Sequence, residues 1–207
     1  MNSINQCGLI IFIRNPVFGK VKTRLAQTLG PSTAMAIYQY LLSYTQQLTL
    51  KVNCRRFLYY SDAVDVKDHW ENDNFIKKHQ MGNHLGARMN NAFATHFSEG
   101  YQCLVIIGSD CIELTPSIIQ MAFTQLQHHE VVIGPAEDGG YYLLGMSGYL
   151  PQLFNNKQWG GSGVYADTMA QIKALAISVY TLPQLNDIDE EKDLPTNWQQ
   201  WPGVKYD

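Results

Sequence analysis

The run Leu104-Val105-Ile106-Ile107 carries no polar residue and empties into Gly108-Ser109-Asp110, so a strand delivers one carboxylate at its C-terminal tip. In an open α/β sheet, ligands bind outside the carboxyl ends of the strands, and a small-small-acid tip lets a phosphate-bearing metal complex approach the backbone. Asp110 is therefore a candidate metal ligand and catalytic residue, with Ser109 a candidate ligand contact beside it. Its competing role is to cap the helix that follows. Thr115-Pro116 is the better start for that helix, with a hydroxyl at N-cap and Pro at N1.

A second constellation follows another apolar run, Leu9–Ile13. Arg14-Asn15-Pro16-Val17-Phe18-Gly19-Lys20-Val21-Lys22-Thr23-Arg24 holds four of the fifteen Lys and Arg residues. Such a loop wants an anion. Gly19 permits a tight backbone, Arg14, Lys20 and Lys22 bring positive charge to phosphate oxygens, and Arg24 can fork onto a phosphate at a helix start. A P-loop ATPase is disfavoured because GxxxxGK[ST] is absent. The alternative is a solvated basic turn.

Two acidic stretches complete the candidate set. In Gly134-Pro135-Ala136-Glu137-Asp138-Gly139-Gly140-Tyr141, Gly139 and Gly140 allow close ligand approach or a left-handed turn, and Asp138 is a candidate to orient or deprotonate an acceptor. Asp-Gly is equally ordinary hairpin chemistry. In Asp187-Ile188-Asp189-Glu190-Glu191, Asp187 and Asp189 can approach one Mg²⁺ or Mn²⁺, which takes one or two carboxylates plus substrate phosphates. Taken alone, Asp189 reads better as a helix cap with Glu190 and Glu191 in the first turn. Arg88, on the first turn of a helix after Gly82 and Gly86, supports a phosphate or pairs with a surface acid. The six histidines show no metal spacing, and no Gly-x-Ser-x-Gly or Cys/His dyad signals covalent catalysis.

The elements that must position these residues alternate along the chain. Leu9–Ile13, Phe57–Tyr60, Leu104–Ile107, Val131–Ile133, Tyr141–Leu144 and Ala176–Leu182 are strand-like. Helices are expected from Gly30-Pro31-Ser32 to about Leu48, from near Leu85 to Phe97, and from Ser117 to His128. That rhythm predicts a three-layer α/β/α fold around a largely parallel sheet. The link from Ile133 to Tyr141 is too short for a helical crossover, so the sheet is expected to be mixed.

Composition narrows the function classes. A chain of 207 residues with 45% hydrophobic content can bury a full core and is expected to form a single domain over 1–207. A net charge of −3 disfavours nucleic-acid partners, which demand a surplus of cations on one face. No apolar run reaches the ~18 residues of a membrane span. Cys7, Cys54, Cys103 and Cys111 lack ligand spacing and read as reduced, mostly packed thiols, which predicts a cytoplasmic protein.

The order of motifs is specific: Pro16-x-x-Gly19-x-Val21-Lys22-Thr23-Arg24-Leu25-Ala26, Leu85-Gly86-x-Arg88-Met89, Gly108-Ser109-Asp110, Gly134-Pro135-Ala136-x-Asp138-Gly139-Gly140-Tyr141-Tyr142, Trp159, and Asp187-x-Asp189-x-x-x-Asp193-Leu194. It resembles a family of small bacterial glycosyltransferases with the GT-A nucleotide-diphospho-sugar transferase fold, some members of which are associated with arsenosugar biosynthesis. The resemblance implies that Asp110 takes the place of the metal-binding acidic motif after the central strand, and Lys22 and Arg24 that of the nucleotide-phosphate loop. Two positions depart from the pattern: Ile112 stands where Pro commonly follows the Asp-Cys pair, and His84 where an acid is usual. The Lys-Thr-Arg-Leu-Ala string is also similar to 2-phospho-L-lactate guanylyltransferases, which share the fold.

The leading expectation is a metal-dependent transfer of sugar from a nucleoside diphosphate donor to a small acceptor. The rivals are nucleotidyl transfer from a nucleoside triphosphate and a catalytically silent nucleotide-binding module. Little chain remains beyond the donor half, so the acceptor pocket is expected from about Gly145 to Thr168, with room for a contribution from a second subunit in a homo-oligomer.

Overall fold

The computed structural model describes residues 6–204. Among these residues seven strands form one sheet: β1 (Cys7–Ile13), β2 (Arg55–Tyr60), β3 (Ile76–His79), β4 (Cys103–Ile107), β5 (Val131–Pro135), β6 (Tyr141–Met146) and β7 (Val179–Thr181). Their order is β3-β2-β1-β4-β6-β5-β7. β1 pairs in parallel with β2 and β4, β2 with β3, and β5 with β7; β6 runs antiparallel to both neighbours. The expected mixed, mostly parallel sheet is thus present.

Among the described residues, five α-helices cover it: α1 (Thr23–Leu29), α2 (Pro31–Leu50), α3 (Leu85–Ser98), α4 (Pro116–Gln125) and α5 (Val164–Ala174). The alternation of β1 sorts the layers. Leu9, Ile11 and Ile13 share a core with Tyr38 and Leu42 of α2 and Ile119 and Phe123 of α4. Ile10 faces the other way, toward Met89 and Phe93 of α3 and Ile172 of α5. A sheet buried on both faces needs such apolar runs, which is why β1 and β4 have almost no polar residue.

The boundaries match where local chemistry is strong. Thr115 caps α4, its hydroxyl accepting the Ile118 amide at 3.4 Å, with Pro116 next. They fail where it is weak. β3, sequence Ile-Lys-Lys-His, is a charged edge strand with no hydrophobic alternation to betray it. α5 buries Val164, Thr168 and Ile172, a stripe interrupted by a polar residue, and went unanticipated. The strand expected from Ala176 begins only at Val179, because Ala176 turns through φ 52°.

Two further expectations are corrected. Cys7 and Cys103 are not reduced thiols but a disulfide; 96 residues separate them in sequence, yet they are register partners on β1 and β4. Only Cys54 and Cys111 are free and buried. The cap before Glu191–Asp193 is Glu190 rather than Asp189: its side chain and that of Asp193 form a reciprocal capping box around a short 3-10 turn. The C-terminal segment packs Trp198, Trp201 and Val204 against Leu25, Ile37 and Leu41, where Ile112 also lies. Among the described residues, no helix is long and apolar enough to cross a membrane.

Candidate active site

The C-terminal ends of β1, β2, β3 and β4 open onto a cleft of about 630 Å³. Arg14, Lys22 and Arg24 line it from the first loop, Ser109 and Asp110 from the tip of β4, Gln80 and Arg88 from the β3–α3 side, and Asp189 from the segment after β7. A second cavity of about 250 Å³ adjoins it, sharing Phe12, Leu85 and Gly108. Asp138, Gly140, Tyr141, Tyr142, Trp159 and Asp187 line this second space. Sequence-distant candidates therefore meet along one continuous groove, with Asp110 facing one chamber and Asp187 the other.

Lys22 is the hinge of the first loop. It precedes α1 at φ 47°, ψ 47°, a left-handed conformation that a non-glycine residue adopts at a cost of about 1–3 kcal/mol. The strain is offset by the placement of its ammonium, which lies 3.0 Å from Asp110 Oδ2 and donates to the Ile188 carbonyl at 2.6 Å. Its side chain is 6% exposed, against 43% for Asp110. Arg24, at the start of α1, bonds Asp189 Oδ2 at 2.8 Å and approaches Glu190. The Ile188 amide donates to the Asp110 carbonyl at 2.9 Å, so the β4 tip and the late acidic segment are stitched through their backbones.

Asp187 is the most perturbed acid of the groove. Burial, reinforced by the charges of Asp110 and Asp138, raises its carboxyl from 3.8 to about 7, while Lys22 and a hydrogen bond from Cys111 pull the other way. The charges of Asp110 and Asp138 thus oppose ionisation of Asp187, and the buried Lys22 ammonium partly offsets them. Such a set is unfavourable when fully ionised and is relieved by a cation. Among the described residues, no three His, Cys, Asp or Glu side chains gather as a complete metal cage.

The remaining candidates have mixed surroundings. Asp138 Oδ1 accepts the Gly140 amide at 2.8 Å, so it shapes its turn and lines the smaller cavity at once. Gly139, at φ 87°, is required by a neighbouring backbone: a Cβ there would lie 2.0 Å from the Ser162 carbonyl oxygen. Gly86 plays the same part for Trp159, whose ring would lie 2.1 Å from an added Cβ. Gly19 is open, and Lys20 faces a separate cavity with Arg14 and Arg88. His84, in the place of the usual acid, caps α3 by accepting the Ala87 amide at 3.2 Å.

Two supports escaped the sequence reading. Asn15 accepts the Asp62 amide at 3.0 Å and donates to the Ala63 carbonyl at 2.7 Å; Asn followed by Pro at a strand end was its only signal. Tyr38 accepts the Arg14 amide at 2.9 Å and donates to the Arg14 carbonyl at 2.8 Å, although its helical spacing marked it only as core. Burial and the nearby Asp110 charge push the Tyr38 phenol well above its usual range, so it remains a neutral strut under the loop.

Comparison with known proteins agrees with this architecture. A crystal structure of a Desulfovibrio desulfuricans G20 protein, provisionally named a nucleotide-diphospho-sugar transferase, superposes with a TM-score of 0.84 at 28% identity, covering 97% of this chain and 93% of that one. The inositol-1-phosphate CTP transferase of T. maritima shares the fold, with a TM-score of 0.55 at 13% identity over 98% of this chain and 97% of its own. So does a CMP:2-keto-3-deoxy-manno-octonic acid synthetase complexed with CTP, TM-score 0.56 at 8% identity over 91% and 95%. No curated protein sequence matches. The fold is that of nucleotide-diphospho-sugar transferases, as the motif order implied. Residues 44–161, which carry Arg88, Asp110, Asp138 and Trp159, match the family model described as an uncharacterized protein conserved in bacteria, DUF2064, and the chain belongs to that family.

Proposed function

We propose that the protein is a metal-dependent transferase that moves a sugar from a nucleoside diphosphate donor to a small acceptor. The observation that carries this reading is the meeting of two unlike chambers at the carboxylates Asp110 and Asp187: one is lined by cations, the other by aromatic rings. A sugar stacks on aromatic faces, and a diphosphate seeks guanidinium and ammonium groups. The Desulfovibrio structure's name supports the same class of donor.

Asp110 and Asp187 would hold the Mg²⁺ or Mn²⁺, with Asp189 released from Arg24 as a further ligand. When bound, the ion neutralises charge developing on the leaving diphosphate. Lys22 holds Asp110 in place from a buried position and adds fixed positive charge beside it. Arg24 exchanges Asp189 for a phosphate oxygen, and Ser109 stands at the β4 tip next to Asp110. Asp138 orients the acceptor hydroxyl or takes its proton. Trp159, seated on Gly86, closes the acceptor side.

Nucleotidyl transfer is the second reading, favoured by the nucleotide-transferring neighbours that share the fold. Thermal unfolding with and without Mn²⁺ across nucleoside diphosphates, their sugar conjugates and triphosphates separates the readings. Ligand at about 100 times its Kd adds about 2.7 kcal/mol, or about 5–11 °C for a domain of this size. A Mn²⁺-dependent shift with a diphosphate sugar that disappears in Asp110→Asn is the expected result. A shift with triphosphates alone would transfer the case to nucleotidyl transfer, and binding without turnover across an acceptor panel would reduce the protein to a silent nucleotide-binding module.

A further inference from the structure

We infer that Arg14, Lys20 and Arg88 form a second anion pocket, which takes a phosphoryl group separate from a diphosphate at Asp110. The inference rests on the transferase reading for the identity of the neighbouring ligand. The pocket itself stands on its own geometry.

The cations around the groove divide into two sets. Lys22 and Arg24 are engaged with Asp110, Asp189 and Glu190. Arg14, Lys20 and Arg88 enter no ion pair among the described residues. Yet all three face one cavity of about 470 Å³, whose only carboxylate is Asp62. Asp62 Oδ2 already accepts the Ser61 hydroxyl at 2.6 Å. Three cations against one carboxylate leave a positive concavity, and Arg14 and Arg88 also line the larger cleft. A phosphoryl group entering here can therefore belong to a ligand that already occupies that cleft.

Arg88 is held as a prepared donor. Its Nε donates to the Gly82 carbonyl at 3.1 Å and its Nη1 to Gln80 Oε1 at 3.3 Å. Gln80 is 6% exposed, and its Nε2 donates to the carbonyls of Ile13 and Tyr59, each at 3.0 Å. With both amide hydrogens facing carbonyls, only the Gln80 oxygen can face Arg88, so its orientation is dictated by its neighbours. The Arg88 Nη2 has no protein partner among the described residues. Part of the ordering cost of a guanidinium–phosphate contact is thus met before ligand arrives. On the opposite side, Asn15 ties the basic loop to residues 61–63, fixing Arg14 at the pocket edge.

Two sources fit this chemistry: the terminal phosphate of a nucleoside triphosphate, or a phosphate on the acceptor. Calorimetry with Mn²⁺ would compare UDP with UTP, GDP with GTP and CDP with CTP. Inorganic phosphate would then be titrated into protein saturated with the tightest diphosphate, on the wild type and on Arg88→Gln, Arg14→Gln and Lys20→Gln. Triphosphate binding at least tenfold tighter than diphosphate, with the ratio collapsing in the variants, assigns the terminal phosphate. Saturable phosphate binding to the diphosphate complex, weakened about tenfold in the variants, assigns an acceptor phosphate. Lys20 lies on an exposed loop, so its variant keeps the test open even if Arg88→Gln does not fold. A ratio near one with no saturable phosphate binding overturns the pocket, as does either effect persisting unchanged in all three variants. Failure of every nucleotide to bind would sink the transferase reading alone. Inorganic phosphate titrated into the free protein then probes the pocket directly, with Lys20-sensitive binding supporting it and none overturning it.

Discussion

On the β1–β2–β3 side of the groove, charged loops are held by side chains that bond backbone: Asn15 to residues 62 and 63, Gln80 to Ile13 and Tyr59, Tyr38 to Arg14. On the β6 side the wall is aromatic, and glycines let other groups press close: Gly139 against Ser162, Gly86 against Trp159. The first construction keeps polar donors oriented at a wet surface. The second shapes a small, largely aromatic chamber by close packing. Asp110 lines the charged chamber and Asp187 the aromatic one.

The largest effect should come on the charged side. Asp110→Asn is expected to lower transfer by about 100-fold or more, since the metal contribution is worth several kcal/mol, and to abolish Mn²⁺-dependent donor binding while circular dichroism stays native. Normal turnover in that variant would dissolve the division of labour between the walls. The next effect lies on the aromatic side. Gly139→Ala puts a Cβ 2.0 Å from a backbone oxygen at φ 87° and should cost at least ~2 kcal/mol, seen as a Tm lower by about 4–8 °C.

A smaller effect reads the electrostatics. Asp187 is raised from 3.8 to about 7 in the fold, so across that window the native chain holds a proton that the unfolded chain releases. Stability of the metal-free protein should therefore fall as pH rises from about 4 to about 7. Asp187→Asn should flatten that slope, and an unchanged Tm-against-pH curve would show that Asp187 is an ordinary carboxylate. Gly86→Ala sharpens the contrast most finely. An added Cβ would lie 2.1 Å from the Trp159 ring, so the indole must move, and Tm should fall by less than in Gly139→Ala because a side chain rather than backbone gives way. Tryptophan emission should shift to the red and the acceptor KM should rise, whereas donor affinity should hold.

The charged half was more legible than the aromatic half, for a physical reason. Asp110 at the end of an apolar run, and four cations after another, are local signals, and local signals survive in a sequence. That Lys22 answers Asp110 and the Ile188 carbonyl, and that Arg24 answers Asp189 from 165 residues away, depends on long-range approach, and nothing local encodes it. The Gly139-Gly140 pair was visible as a turn, but its partner Ser162 was not. β3 and α5 lacked the apolar periodicity that announces an element, because an edge strand carries charge and α5 buries a threonine whose hydroxyl bonds the Val164 carbonyl at 2.7 Å. The paired cysteines misled for the same reason: strand register, not spacing, brings them together.

The Cys7–Cys103 bridge closes a covalent ring that contains Arg14, Lys20, Lys22, Arg24, Gln80 and Arg88, while Tyr141, Trp159 and Asp187 lie outside it. A protease that nicks one surface loop between residues 7 and 103 therefore releases no fragment. The two pieces migrate as one band without reductant and as two with it, and the cut molecule can still present both walls of its groove.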